Sequence, residues 1–312
     1  MQASPLLYQR VLITGANGLL GQELVSLMSE KPEYDVLATG RSTVPQFRGA
    51  SCGYTQLDIT DTAAMRRLFQ DFTPTVVINC AAMTQVDNCE VARDACWRVN
   101  AEAVEHLAKQ CRVLGARLVQ VSTDFVFSGE KGPYREEARP APVNFYGKSK
   151  LAAENATRDS GLDAWSVART VLVYGTGENL RRSNFALWVI DKLTKGESIN
   201  IVTDQFRTPS YAPDLADGIE RIVRFGKTGT FHISGRELVS IYEFAQIIAR
   251  VFDLDGSLIQ PTDSTQFTQE AARPARTGFI ILKAETELGY KPRSLEEALR
   301  HLGSRLGLPV TS

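Results

Sequence analysis

The chain opens on short, unbroken apolar runs separated by longer amphipathic stretches. Val11-Leu12-Ile13-Thr14 is apolar at successive positions and runs into glycines, as a strand buried on both faces does. The spacing of Leu20, Leu24 and Leu27 predicts a helix over 18–30. The same rhythm predicts strands at 36–38, 54–57, 76–78, 117–122 and 164–168, with helices at 63–72, 92–114 and 146–156. Pro74 stops one helix and Gly115 another. Continuously apolar strands between helices predict an α/β fold, a doubly wound parallel sheet of the Rossmann type. After Tyr174-Gly175 the rhythm changes. Helices at 184–195, 214–224, 241–252 and 295–302, with strands at 199–202 and 230–233, predict a smaller C-terminal α/β lobe. One helix and one strand of that half are expected to return to the main sheet.

Bulk composition excludes several classes. The 312 residues carry a net charge of -1, which gives no electrostatic case for nucleic acid or an anionic membrane. No apolar run approaches the ~18 residues of a membrane span. Residues 1–10 lack the basic start and apolar stretch of a signal peptide. Cys52, Cys80, Cys89, Cys96 and Cys111 are odd in number and lack paired ligand spacing, so they read as reduced thiols of a cytoplasmic protein. His106, His232 and His301 are scattered and predict no metal. The absence of a Gly-x-Ser-x-Gly elbow leaves a serine hydrolase unsupported.

Chemistry enters with Thr14-Gly15-Ala16-Asn17-Gly18-Leu19-Leu20-Gly21, which follows the first strand and opens a helix. Glycines there let the backbone turn tightly against a pyrophosphate at the helix N-terminus. The spacing is Gly-x-x-Gly-x-x-Gly rather than Gly-x-Gly-x-x-Gly. Strand two ends in Thr39-Gly40-Arg41, with no acid for a ribose 2′-hydroxyl. Arg41 suits a 2′-phosphate, so NADP(H) is favoured over NAD. Asp58 fits two roles, accepting from an adenine amino group or capping the next turn. Tyr146 and Lys150 stand i, i+4 and share one face if their segment is helical. A cation beside a phenol lowers its pKa toward the working range, so Tyr146 is the expected acid and Lys150 its tuner.

These pieces together resemble the extended short-chain dehydrogenase/reductases, and within them the dTDP-4-dehydrorhamnose reductases. The resemblance spans almost the whole chain. It rests on Thr14 to Gly21, Asn79-Cys80-Ala81-Ala82 with Val86-Asp87, Asn100, Ser122-Thr123-Asp124-Phe125-Val126-Phe127-Ser128-Gly129, and Tyr146-Gly147-Lys148-Ser149-Lys150. Arg169-Thr170, Val173-Tyr174-Gly175, Asn184-Phe185, Asp204-Gln205-Phe206 and Ala272-Arg273-Pro274 extend it. It implies a Thr123, Tyr146, Lys150 catalytic set, with Tyr146 the proton donor and Thr123 donating to the developing alkoxide. It implies NADP(H) contacts at Gly15, Asn17, Gly18, Leu19, Arg41, Asp58, Ile59, Cys80, Ala81, Ala82, Asn100, Tyr146, Lys150 and Thr170. Asp124, Phe125, Asn184, Phe185 and Gln205 are the implied contacts to a nucleotide-sugar substrate. Arg207 and Arg273 are expected at its phosphates, by the match of guanidinium to phosphate oxygens. Arg181-Arg182 is expected to be a solvated pair.

The expected division is 1–172 and 210–234 for an NADP-binding Rossmann domain, and 173–209 and 235–312 for the substrate-binding lobe. A homodimer is compatible with the resemblance. Two departures stand out: Val171-Leu172 where the family carries Ser-Trp facing the sugar, and Met83 where a polar or aromatic residue is usual. Tyr134-Arg135-Glu136-Glu137 and Pro140-Ala141-Pro142 also resemble the NADP-binding regulatory β subunit of methionine adenosyltransferase. Three functions follow: a reductase of nucleotide-linked 4-keto-6-deoxysugars, an NAD-dependent nucleotide-sugar epimerase, and a regulatory subunit with an unused triad.

Overall fold

A computed structural model describes residues 8–180, 183–266 and 269–311, so Arg181-Arg182 lies outside the described residues. Seven parallel strands form the main sheet, in the order β3-β2-β1-β4-β5-β6-β11. They are β1 Gln9–Thr14, β2 Tyr34–Gly40, β3 Gly53–Gln56, β4 Val76–Asn79, β5 Arg117–Thr123, β6 Trp165–Thr170 and β11 Gly229–His232. Alternate residues of each strand face opposite sides of the sheet. Val11 and Ile13 therefore join one buried cluster, with Leu24 and Ile219. Leu12 joins the other, with Val77, Leu118, Met65 and Leu107. The strand order reverses between β1 and β4, and ligands of such sheets bind in the crevice at that switch point.

The crossovers are α1 Leu19–Ser29, α2 Thr62–Phe72, the α3–α5 stretch, α6 Phe145–Arg158 and α8 Ala212–Arg224. The helix expected over 92–114 is a broken one. It runs as α3 Val86–Val91, α4 Arg93–Trp97, a π turn at Arg98–Glu102 and α5 Ala103–Leu114. Ala92, at φ -105° and ψ 56°, leaves helical space. The π turn carries Asn100, which is almost wholly buried and hydrogen-bonded to its surroundings.

The second half builds its own core from α7 Phe185–Thr194, α9 Ile241–Val251 and α11 Leu295–Leu306. Three two-stranded pairings accompany them. β7 Val173–Tyr174 pairs with β10 Ser210–Tyr211, β9 Phe206–Arg207 with β12 Val239–Ser240, and β8 Ile199–Val202 with β13 Ile259–Thr262. The last helix before α11 is α10 Leu282–Leu288, which the sequence pattern left out. α8 and β11 return to the main sheet, where β11 pairs with β6. Leu172 packs against both cores at a positive φ of 39°, the left-handed region that non-glycine residues seldom occupy.

Candidate active site

The β1-to-α1 turn is built for close approach. Gly15 has φ 66°, and a Cβ there would sit 2.7 Å from the Ala81 amide nitrogen at the end of β4. A Cβ on Gly21 would collide with the Gly15 carbonyl oxygen. Gly18 caps α1 with no side-chain hydrogen bond, so the first amides of the helix are not satisfied by a capping side chain. Such an N-terminus favours an anion. Asn17 does not reach toward that anion site. Its Nδ2 donates to the Tyr54 hydroxyl at 2.9 Å, and its Oδ1 accepts from Gln46 N at 2.9 Å, which fastens the loop after β2. Leu19 lies beside Gly175.

Arg41 is exposed just past the end of β2; its carbonyl accepts Gln56 Nε2 at 2.9 Å, and its charge helps to lower the Asp58 pKa. Asp58 caps its own turn, accepting Thr60 N at 2.9 Å and Thr60 Oγ1 at 2.7 Å. Ile59 is a core residue beside Leu57 and Met65. Thr170 donates to Ser210 Oγ at 2.8 Å and ties β6 to β10. Asn17, Ile59 and Thr170, expected along the cofactor, thus also hold the walls of the groove together. Ala81 and Ala82 remain part-exposed along the crevice.

The expected catalytic residues come together. Thr123 ends β5, and α6 begins with Asn144, whose side chain accepts Gly147 N at 2.8 Å as the N-cap. Gly147 lets the helix press on the 3₁₀ turn Asp124–Val126: a Cβ would collide with the Phe125 carbonyl oxygen and stand 2.9 Å from Pro142 Cβ. Tyr146 lies edge-on to Phe125, ring centroids 6.0 Å apart, with the Thr123 hydroxyl against its phenol. Lys150 Nζ donates to the Val121 carbonyl at 2.7 Å. Burial pushes the Lys150 ammonium down to about 8. Burial also raises the Tyr146 pKa, and the Asp124 carboxylate adds to the rise. The expected depression of that phenol by Lys150 is therefore reversed. Desolvation is the largest cause of the rise, and the hydrogen bond with the Thr123 hydroxyl opposes it.

Asn100 is turned inward and ties two segments of the chain together. Its Oδ1 accepts Met83 N at 2.8 Å, and its Nδ2 donates to Met83 O at 2.9 Å and Ser149 Oγ at 3.0 Å. It thereby locks the strand-four loop to α6. Cys96 and Cys89 fill the same space beneath Tyr146. A hydrogen bond from Cys89 lowers the Cys96 thiol to about 7, whereas burial raises Cys80 to about 12.

On the substrate side, several expected contacts are spent inside the protein. Asp124 is 3% exposed and binds Thr123, Thr277 and Arg207. Arg207 is almost wholly buried and donates to the carbonyls of Phe206, Ala275 and Pro274 at 2.7, 3.2 and 2.7 Å. Arg273 forms a two-point pair with Asp87 at 2.8 and 2.5 Å. Asn184 caps α7 through Leu187 N and holds Gly175 O at 2.7 Å. Phe185 stacks on Phe244 in the second core. Phe125 and Gln205 are left as side chains near the seam, and no hydrogen bond engages the Gln205 amide among the described residues.

The sequence pattern did not single out a buried polar relay behind the site. Thr14 Oγ1 donates to Asn79 Oδ1 at 2.5 Å, Asn79 Nδ2 to Gln120 Oε1 at 2.7 Å, and Gln120 Nε2 to Val121 O at 2.7 Å. That is the carbonyl Lys150 also binds. The signal for it was a Gln at a fully buried position within the apolar strand Arg117–Thr123. Among the described residues no group of three or more His, Cys, Asp or Glu can hold a metal, and no helix is long and apolar enough to cross a membrane.

Comparison with known proteins places this architecture. The family model for the RmlD substrate binding domain matches residues 9–307. The chain is 36% identical over 292 residues to a probable low-salt glycan biosynthesis reductase of Haloferax volcanii, covering 93% of this chain and 96% of that one. It is also 36% identical over 293 residues to methionine adenosyltransferase 2 subunit beta of Pongo abelii, covering 92% and 84%. Among solved structures, dTDP-4-dehydrorhamnose reductase from Bacillus anthracis in complex with NADP superposes with a TM-score of 0.85 at 31% identity, covering 95% of this chain and 99% of that one.

Proposed function

Since this chain belongs to the RmlD substrate binding domain family, we propose that it is an NADPH-dependent reductase of a nucleotide-linked 4-keto-6-deoxysugar. One observation carries this reading: Tyr146 is buried on α6 with the Thr123 hydroxyl, at the end of β5, against its phenol and Lys150 one helical turn on. NADP(H) fits the residues present. The Gly15–Gly21 turn has the cradle a Cβ would fill, and Arg41 offers a guanidinium in place of the acid that suits a 2′-hydroxyl. Gly15, Gly18, Ala81, Ala82, Arg41 and Lys150 would hold it, and when bound it supplies hydride.

The chain's own residues do the rest. Tyr146 gives its proton to the carbonyl oxygen as that oxygen gains charge. Lys150, charged below about pH 8, holds ribose hydroxyls and keeps a positive charge near the phenolate that forms. Residues 1–172 and 210–234 would carry the cofactor, and 173–209 with 235–312 the nucleotide sugar. Gln205, whose side-chain amide has no hydrogen bond among the described residues, and Phe125, beside Tyr146, would face it. Leu172 offers an apolar wall at the seam in place of an aromatic one.

Tyr146→Phe tests the reading. Turnover is expected to fall by about 10²- to 10⁴-fold while NADPH affinity stays within about twofold. Unchanged turnover would remove Tyr146 as the acid. A second reading, an NADP-binding regulatory subunit, is supported by the likeness to the methionine adenosyltransferase β subunit. It predicts cofactor binding without consumption of NADPH. The epimerase reading is weakened by Arg41, since tight NAD retention is better served by an acid at that position.

A further inference from the structure

Residues 175–180 leave β7 in the second half of the chain and cross to the first turn of α1. Gly175, at φ 153°, starts the crossing. Its carbonyl accepts Asn184 Nδ2 at 2.7 Å, and a Cβ there would stand 3.5 Å from Leu19 Cδ1. Gln22, buried on α1, grips the Glu178 backbone at both of its polar atoms. Its Nε2 donates to the Glu178 carbonyl at 2.8 Å, and its Oε1 accepts Glu178 N at 2.9 Å. The same Nε2 donates at 3.2 Å to the carbonyl of Asn17, in the glycine-rich turn itself. Asn179 then donates from Nδ2 to Gln46 O at 3.2 Å, and Gln46 N donates to Asn17 Oδ1. The segment therefore spans the glycine-rich turn and the loop after β2, the two stretches that flank a dinucleotide's pyrophosphate and adenosine in a sheet of this type.

Polar contacts hold this segment, and apolar ones do not. Among the described residues none of 176–180 joins a hydrophobic core. A cavity of about 280 Å³ lies against it, walled by Ser26, Phe47, Arg48 and Arg305. A segment pinned by a few hydrogen bonds, with no core contacts, opens locally at low cost. We propose that residues 175–180 are a strap across the dinucleotide crevice, latched by Gln22, whose opening admits and releases NADP(H). The proposal rests on NADP(H) occupying that crevice and is independent of which substrate is reduced. The latch is made by protein groups alone, so it holds the strap equally over an empty and a filled crevice. Loosening it then speeds entry and exit by the same factor and leaves the affinity nearly unchanged, since a contact common to two states shifts no equilibrium between them.

Stopped-flow fluorescence of NADPH binding to the full chain tests this. Gln22→Leu keeps most of the side chain's bulk and removes its hydrogen bonds to Glu178 and Asn17. Both kon and koff are expected to rise about tenfold, with Kd within about threefold of wild type. Simple damage to the cofactor site would raise koff alone or lower kon, so an unchanged or lower kon overturns the proposal. Gly177→Ala reaches the same latch by another route, because its Cβ would stand 2.6 Å from Gln22 Oε1 and displace it. It should speed both steps in the wild-type background and by less than about twofold in Gln22→Leu. Additive effects of the two changes, or none from Gly177→Ala, overturn the proposal. Should Gln22→Leu not fold, Asn179→Gly decides. That position is exposed and has φ 44°, which glycine accepts, and the change removes only the bond to Gln46. It should raise both rate constants about threefold, and unchanged rates overturn the proposal. A chain that binds no NADPH overturns it as well. A chain that binds NADPH and reduces no ketosugar removes the reductase reading, and the same rate constants still decide the strap.

Discussion

Lys150 titrates in the folded chain near about 8, against ~10.4 for a free lysine, because burial penalises its charge. The ammonium is intact below that pH and is lost as pH rises through it. The alkaline limb of kcat/KM, which reports the free enzyme, should therefore sit near pH 8 and move upward in Lys150→Arg, whose guanidinium does not titrate there. A limb near the ordinary lysine value would contradict this. Unfolding does not mimic the effect. Between the folded and unfolded values the unfolded chain binds the extra proton, so this group makes the fold more stable as pH rises through that window.

Residues of this kind divide sharply in how far the chain announces them. Thr123, Tyr146 and Lys150 were legible because they sit in short motifs whose spacing survives folding. Arg207 and Arg273 were expected at phosphates, and the chain did not announce the partners they meet inside the protein. Their partners lie far away in sequence, Asp87 being 186 residues from Arg273, and no local pattern tells a guanidinium which carboxylate it will meet. Asp58 and Asn184 went to the local alternative that short polar side chains always hold open, a turn or a helix cap.

The helix α6 shows how an element carries a site. Its start is fixed by the Asn144 cap, and its approach to the Asp124–Val126 turn is possible only because residue 147 has no Cβ. Gly147→Ala should therefore cost about 1–3 kcal/mol of stability despite alanine's better helix propensity. A thermal melt read by circular dichroism checks this, and an unchanged or raised Tm contradicts the close approach. Strands and this helix were readable from apolar periodicity. The break at Ala92 and the π turn at Arg98–Glu102 were not, since no proline or glycine marks them. What selects that geometry is tertiary: Asn100 turned inward onto Met83 and Ser149.

Across the whole molecule, the sheet order follows from chain alternation and handed crossovers, which is why the Rossmann arrangement was predictable in outline. The pairing of the second half was less so, because its strands are two to four residues long and carry almost no period of their own. The two cores meet at Leu172, and the seam is bridged by Asp124 with Arg207 and Thr277, and by Asp87 with Arg273. Contacts between the two halves thus run through Asp124, the residue next to Thr123. The direct measurement of the central claim is label transfer. The purified chain is given NADPH deuterated at the transferable position, with a nucleotide-linked 4-keto-6-deoxysugar, and the product is read by NMR. The account predicts deuterium on the former keto carbon of the sugar. Bound NADPH that is not consumed and leaves no label in any ketosugar tried would contradict it.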